Sequence, residues 1–341
     1  MTLQKIPIWL DCDPGNDDAF AILLAVFDPR FQLLGISTVH GNAPLKCTTH
    51  NTVALLDILN TFHVKVYAGE ELPLLNEPRF ALDIHGKTGI GGAKLPLHTK
   101  NKPVNKQSLS YLEAMYNTIV SFQDQICIVC TGTLTNLAKL ILKYPKVCNK
   151  IKYVSIMGGS FDMGNATPFA EFNFHTDPHA VQIVLDNLQD KIILTPLNLT
   201  HKVIANKQVR SQIYDELDEK KGSSVRKNFH DILMFFSKTY AANDDEMFEG
   251  PPLHDPIAVY SLLPLVHENP KEYGYVYIRR MLRIELEGEH LGETVVINKD
   301  VPHDIIEEEG NTGGVYIGMD LDKQKFWKSI LDALRAADLN M

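Results

Sequence analysis

At 341 residues, with 45% apolar and 22% charged side chains, the chain has ordinary globular composition and length for one large α/β domain or two average ones. Acidic residues outnumber basic ones 42 to 33, and no stretch concentrates Lys and Arg. That argues against a nucleic-acid or anionic-membrane partner and leaves room for a small-molecule substrate and a bound cation. The opening apolar run Ile6–Leu10 is too short for a secretory leader, and no run reaches the ~20 residues a bilayer demands. With five scattered cysteines that read as reduced thiols, these features point to a cytoplasmic protein.

Strands and helices alternate from the start. Lys5–Leu10 reads as a buried strand, Ala19–Phe27 as a helix, Leu33–Val39 as a strand, Thr52–Asn60 as a helix and Val64–Tyr67 as a short strand. Pro78–Lys106 is long, polar and rich in Gly, Pro and Lys, which predicts an irregular loop of functional weight. The alternation resumes with a helix at Leu109–Phe122 and a strand at Ile126–Val129. Leu134–Leu142, Val154–Met157, Ala180–Leu188 and Ile192–Thr195 continue it. A helix over Phe229–Ala242 precedes an acidic loop, Asn243–Pro252. Beyond Tyr273 the runs Val276–Ile284, Thr294–Ile297 and Gly314–Ile317 look like antiparallel additions, and an amphipathic helix around Phe326–Ala336 closes the chain. The order predicts a single-domain α/β fold over residues 1–341: an open, mostly parallel, Rossmann-like sheet with helices on both faces. Cys127 and Cys130, three apart on one strand, should point to opposite faces and so cannot clamp a metal.

Ligands of open α/β sheets sit beyond the carboxyl ends of the strands, so the residues just after each apolar run carry the information. After the first strand stands Asp11-Cys-Asp13-Pro-Gly-Asn-Asp17-Asp18; after the second, His40-Gly41-Asn42; later come Thr131-Gly132 and Met157-Gly158-Gly159. Four carboxylates within eight residues repel one another unless a cation or protons neutralise them, and oxygen donors suit a hard cation. Acids at a helix start explain Asp17 or Asp18 alone, but not Asp11 and Asp13 on the strand end beside them. His85-Gly-Lys-Thr88 lacks the first glycine and the strand of a phosphate loop, and Asn198-Leu-Thr200 as a glycosylation acceptor would need a secretory route.

By motif, DCDPGNDDA at 11–19, Gly41-Asn42, IHG at 84–86, TGTLTN at 131–136, MGG at 157–159, GNATPFAEFN at 164–173 and HDP at 254–256, the chain resembles the inosine–uridine-preferring nucleoside hydrolases. PLNLTHK and FFSKTY resemble the fungal uridine nucleosidase branch of that family. The resemblance implies hydrolysis of the N-glycosidic bond of ribonucleosides, with Ca2+ held by Asp13, Asp18, Asp255 and the carbonyl of Thr131. It implies Asp13 as general base toward the attacking water, and Asn42, Asp17, Met157, Asn165, Glu171 and Asn173 as ribose contacts. His85 and His254 would face the base, with His254 able to assist a leaving group by protonation. It also implies a homo-oligomer, dimer or tetramer, and attaches no role to Asn16, while Asp11 would support the site from behind.

Tyr240, one helical turn beyond Phe236, is a candidate phenol donor to the base, and the loop Asn243–Pro252 a candidate influence on base choice. Uridine is the expected substrate, with cytidine, inosine and nicotinamide riboside as others. Two rivals remain open at this stage. A magnesium-dependent phosphatase of the haloacid dehalogenase type also places D-x-D after a first strand, though with a small hydroxylated residue following. A calcium-binding or nucleoside-sensing protein would keep the site without turnover.

Overall fold

A computed structural model describes residues 4–218, 220–241, 249–297 and 313–341. Most of the acidic loop after Ala241, and with it the expectation for 243–248, lies outside them. Ten strands are present among the described residues: β1 (Ile6–Cys12), β2 (Phe31–Thr38), β3 (Val66–Ala68), β4 (Cys127–Cys130), β5 (Tyr153–Met157), β6 (Ile192–Thr195), β7 (Val276–Arg280), β8 (Leu282–Ile284), β9 (Thr294–Val296) and β10 (Val315–Asp320). Eight form one sheet in the order β3-β2-β1-β4-β5-β6-β10-β7. Every pairing in it is parallel except β10 with β7.

The central strands are apolar on both faces because helices cover both. Helices Asp18–Phe27, Asp255–Tyr260 and Lys323–Leu339 pack in one apolar cluster, with Phe20, Leu23, Tyr260 and Phe326 buried. Helices Tyr111–Ser121, Thr135–Lys143 and Pro178–Leu188 pack in another, around Met115, Leu137, Ile141 and Val184. Cys127 belongs to the first cluster and Cys130 to the second, as period-two alternation requires.

Two boundaries differ from the sequence reading. The run Val276–Ile284 breaks at Met281 into β7, the antiparallel edge of the main sheet, and β8, which pairs with β9 in a separate hairpin. Between β6 and β7, β10 is antiparallel to β7 but parallel to β6, so the C-terminal segment extends the parallel order by one strand. The second helix covers Leu45–Ile58 and so begins well before Thr52. Its first turns hide their helical character because their buried residues are polar: Thr48 bonds the Val39 carbonyl at 2.9 Å, and Asn51 bonds those of Pro14 and Thr88 at 3.0 and 2.8 Å. The segment 78–106 is irregular apart from the short turn Leu82–His85.

The strand order fixes where a ligand can sit. From β1 the chain moves outward through β2 and β3, then returns to place β4 on β1's other side. The connections after β1 and β4 therefore diverge and leave a crevice at the carboxyl ends of these two strands. Asp13–Asp18 leave one strand there and Thr131-Gly132 the other.

Candidate active site

The turn after β1 is wholly buried: Asp11, Asp13, Asn16, Asp17 and Asp18 are at most 4% exposed. Its carboxylates are aimed by neighbouring donors. Asp18 accepts from the Gly15 amide at 2.8 Å and the Thr131 hydroxyl at 2.7 Å. Asp13 accepts from the Asn42 amide at 2.7 Å, and the Asn42 side chain reaches back to Asp18 at 3.2 Å and to the Asp13 carbonyl at 3.3 Å. Two glycines make the room this needs. A Cβ on Gly41 would lie 2.0 Å, and one on Gly132 2.6 Å, from the Asp13 carboxylate oxygens.

Asp255, first residue of the helix Asp255–Tyr260, meets this turn from far along the chain. Ligand oxygens of Asp17, Asp18 and Asp255 all lie within 4.8 Å of one another, and all three residues are buried. Asp13 stands beside Asp18, and its second oxygen has no hydrogen-bond partner among the described residues. Burial first, then mutual repulsion, pushes Asp13 and Asp255 well above the usual carboxylate range and Asp17 up to about 7. Four clustered carboxylates held above their ordinary pKa, with an orphaned oxygen among them, are the electrostatics of a site that takes a cation. The sequence reading assigned Asp17 to ribose and Asp13 to the ligands; the three acids that converge tightly are Asp17, Asp18 and Asp255, with Asp13 adjoining. The Thr131 carbonyl, the expected fourth ligand, accepts from the Asn173 amide at 2.9 Å.

Above the acids opens a cavity of about 230 Å³. Asp17, Asn42, Thr131, Met157, Asn165, Glu171, Asn173 and Asp255 line one part of it, and His85, Phe236, Tyr240 and His254 another. Asp13 and Asp18 do not line it but are bonded to Asn42 and Thr131, which do. Glu171 caps the short helix Phe172–Thr176: its two oxygens accept from the amides of Gly159, Asn173 and Phe174 at 3.0, 2.8 and 3.1 Å. Burial still holds its carboxyl at about 7. Asn165 fixes the same turn by accepting from the Phe172 amide at 2.8 Å. Asn173 spreads its amide over the carbonyls of Thr131 and Met157.

The second part is aromatic. His85 stacks on Phe236 with centroids 5.5 Å apart, and burial lowers its pKa to about 3. His254 bonds the Thr200 hydroxyl through Nδ1 at 2.7 Å and the Tyr240 hydroxyl through Nε2 at 2.9 Å. Burial, then nearby His201 and His85, keeps it neutral. Phe236 is a core residue and a cavity wall at once. Sequence reasoning missed Thr200 and Asn16; neither carries a local signal, because their partners lie 54 and 69 to 216 residues away.

A sequence model of the family described as inosine-uridine preferring nucleoside hydrolase matches residues 8–328. The chain belongs to this family. It is 41% identical over 349 aligned positions to the uridine nucleosidase of Saccharomyces cerevisiae, covering 99% of this chain and 98% of the relative. It is 32% identical to a pyrimidine-specific ribonucleoside hydrolase of Escherichia coli, covering 97% and 99%. Among solved structures, the purine-preferring ribonucleoside hydrolase from Gardnerella vaginalis superposes with a TM-score of 0.81 over 98% of this chain and 99% of that one, at 23% identity, and so shares the fold. The chain is therefore a nucleoside hydrolase, and the phosphatase reading of its D-x-D falls away. No helix among the described residues is long and apolar enough to cross a membrane.

Proposed function

We propose that this nucleoside hydrolase cleaves uridine to ribose and uracil, in nucleoside salvage in the cytoplasm, with Ca2+ as its cation. Cytidine, inosine and nicotinamide riboside are the further substrates to compare, and a homo-oligomer, dimer or tetramer, is the proposed assembly. The observation that carries the reading is one cavity whose acid and amide part meets an aromatic part bearing a phenol backed by an imidazole. The names of the yeast and bacterial relatives support a pyrimidine leaving group.

Asp13, Asp18, Asp255 and the Thr131 carbonyl would hold the cation, with Asp17 near enough to share it or turn to a ribose hydroxyl. When bound, a hard divalent cation supplies positive charge that lowers the pKa of water and holds hydroxyl groups in place. In this reading Asp13, whose Oδ1 is left without a hydrogen-bond partner among the described residues, takes the proton as water forms its bond to C1′. The bond from C1′ to the base breaks, its electron pair leaves with the base nitrogen, and positive charge builds on the ribosyl ring. Glu171 and the amides of Asn42, Asn165 and Asn173 surround that ring and stabilise the developing charge through fixed dipoles.

On the base side, we take the Thr200 hydroxyl as the donor to Nδ1 of His254 in preference to the Leu197 carbonyl at 3.4 Å; Nε2–H then donates to the Tyr240 oxygen and the phenol hydrogen is left for the base. Uracil departs with charge on its ring nitrogen and carbonyl oxygens, and a neutral donor there suits it. Rates on uridine and inosine, measured side by side in chelated protein and after Ca2+ is restored, test the proposal. Full activity without metal, or preference for inosine, overturns the corresponding half.

A further inference from the structure

Asn16 sits in the acidic turn between Gly15 and Asp17, fully buried, and its side chain does not line the cavity. Its contacts point away from the acids. Its backbone N–H faces Nδ1 of His85 at 3.1 Å, with its side-chain oxygen 3.3 Å from the same nitrogen. A backbone amide can only donate, so Nδ1 accepts and the His85 proton sits on Nε2. The side-chain nitrogen donates both hydrogens: one to the Gly91 carbonyl at 2.9 Å, the other to the Ile232 carbonyl at 2.9 Å.

These acceptors belong to the two segments that form the aromatic part of the cavity. Gly91 closes the turn that begins at His85, its amide bonding the His85 carbonyl at 2.7 Å. Ile232 lies on the helix Ser224–Ala241, one turn before Phe236 and two before Tyr240. Gly91 and Gly92 let these segments meet without a gap: a Cβ on Gly91 would lie 2.1 Å from the Phe235 ring, and one on Gly92 2.4 Å from the Asp231 carbonyl. One carboxamide therefore joins the acidic turn, the His85 turn and the Tyr240 helix. No apolar or acidic residue of the same size can make both donations, because an aspartate would set a carboxylate against two carbonyl oxygens.

We infer that Asn16 is a positioning residue that sets the base-contacting wall, His85, Phe236 and Tyr240, relative to the acids that handle ribose and water. This rests on the reading of that wall as the base side. Asn16 acts on leaving-group departure and not on water activation, so its loss is selective among substrates that share ribose.

The test compares uridine with 4-nitrophenyl β-D-ribofuranoside, whose phenolate departs without help from a donor. In Asn16→Ala and Asn16→Asp, kcat/KM for uridine should fall about 30-fold, as expected for losing oriented buried hydrogen bonds, while the phenyl riboside loses under about 3-fold. Asn16→Ser, which keeps a small polar side chain, serves if either variant fails to fold. Combining Asn16→Ala with Tyr240→Phe should cost uridine little more than the larger single loss, because both act on one step. Equal losses for both ribosides overturn the inference, and so does full additivity in the double variant. His85→Ala and Tyr240→Phe are the reference: if neither is selective for uridine, the base-side reading has failed and the assignment of Asn16 fails with it. If they are selective and Asn16→Ala is not, the assignment of Asn16 alone has failed.

Discussion

The molecule holds a larger hollow than its active site. Between the turn that precedes β2 and the C-terminal helix lies a cavity of about 440 Å³, lined by Asp28, Arg30, Tyr260, Glu272, Lys325, Lys328 and Asp332 among others. Its charges are matched: Arg30 is forked onto Asp28 and also bonds Ser329, Lys328 pairs with Asp332, and Lys325 meets the Glu272 carbonyl. The cavity at the ends of β1 and β4 has about half the volume, yet four buried carboxylates gather in and under it with no cationic side chain among the described residues that line it. Size measures room, whereas uncompensated buried charge is kept only where a ligand completes it. The contrast favours the smaller cavity as the site of the proposed reaction.

The strongest way to break this contrast is to disable the acids. Asp13→Ala removes a proton acceptor as well as a proposed ligand, so kcat should fall by about three orders of magnitude or more. Chelation should do the same reversibly while circular dichroism stays unchanged. An Asp13→Ala enzyme with near-normal turnover would show that another group accepts the proton. A smaller effect separates the two parts of the cavity. Tyr240→Phe should lower kcat/KM for uridine by about 10-fold to 100-fold and for inosine by less, since only the phenol hydrogen is lost. Equal changes on both substrates would remove Tyr240 from base recognition. Asn173→Ala sharpens the ribose side: a fall in kcat marks a contact that strengthens in the transition state, and a rise in KM alone marks uniform binding.

Acid stability gives a weaker but independent handle. Folded His85 titrates near 3 and the unfolded residue near 6.5, so the unfolded chain binds the proton first as pH falls. Its contribution is complete above pH 6.5 and drains as pH falls toward 3, by about 2 kcal/mol at pH 5. Asp17 and Glu171 act oppositely: their folded values near 7 make the metal-free protein less stable as pH rises from 4 to 7. Calorimetry of His85→Gln between pH 7 and 5 isolates the first effect, and an unchanged slope of Tm against pH would contradict the burial of a neutral imidazole. The smallest effect belongs to the larger cavity. Arg30→Ala should leave kcat and KM as they are and lower Tm modestly, through the lost pair with the buried Asp28. A change in kinetics there would undo the distinction between the two regions.

Much of this architecture was readable in advance because parallel strands, covered on both faces, print their burial as unbroken apolar runs. IPIWL and ICIVC mark β1 and β4 without ambiguity, and polar residues immediately after them can only fall at the ligand-binding ends. The start of the second helix was not readable, since Thr48, Thr49 and Asn51 are buried polar residues bonded to Val39, Thr38 and the loops at Pro14 and Thr88, and give no apolar period. The split of Val276–Ile284 between two sheets was equally hidden, because strand partners are chosen by what packs nearby.

The sequence by itself determined the parallel α/β order and the acidic turn after β1, because each is a local pattern of burial or charge, and the motifs it shares with a family named the other residues that gather around the cavity. Only the tertiary structure decided that Asp17 joins Asp18 and Asp255, that Thr200 orients His254 toward Tyr240, and that Asn16 faces away from the acids. Those contacts join residues 14 to 238 positions apart, set by how helices and loops close over the sheet. No local propensity encodes such distances; the shared burial of the groups that meet there selects them.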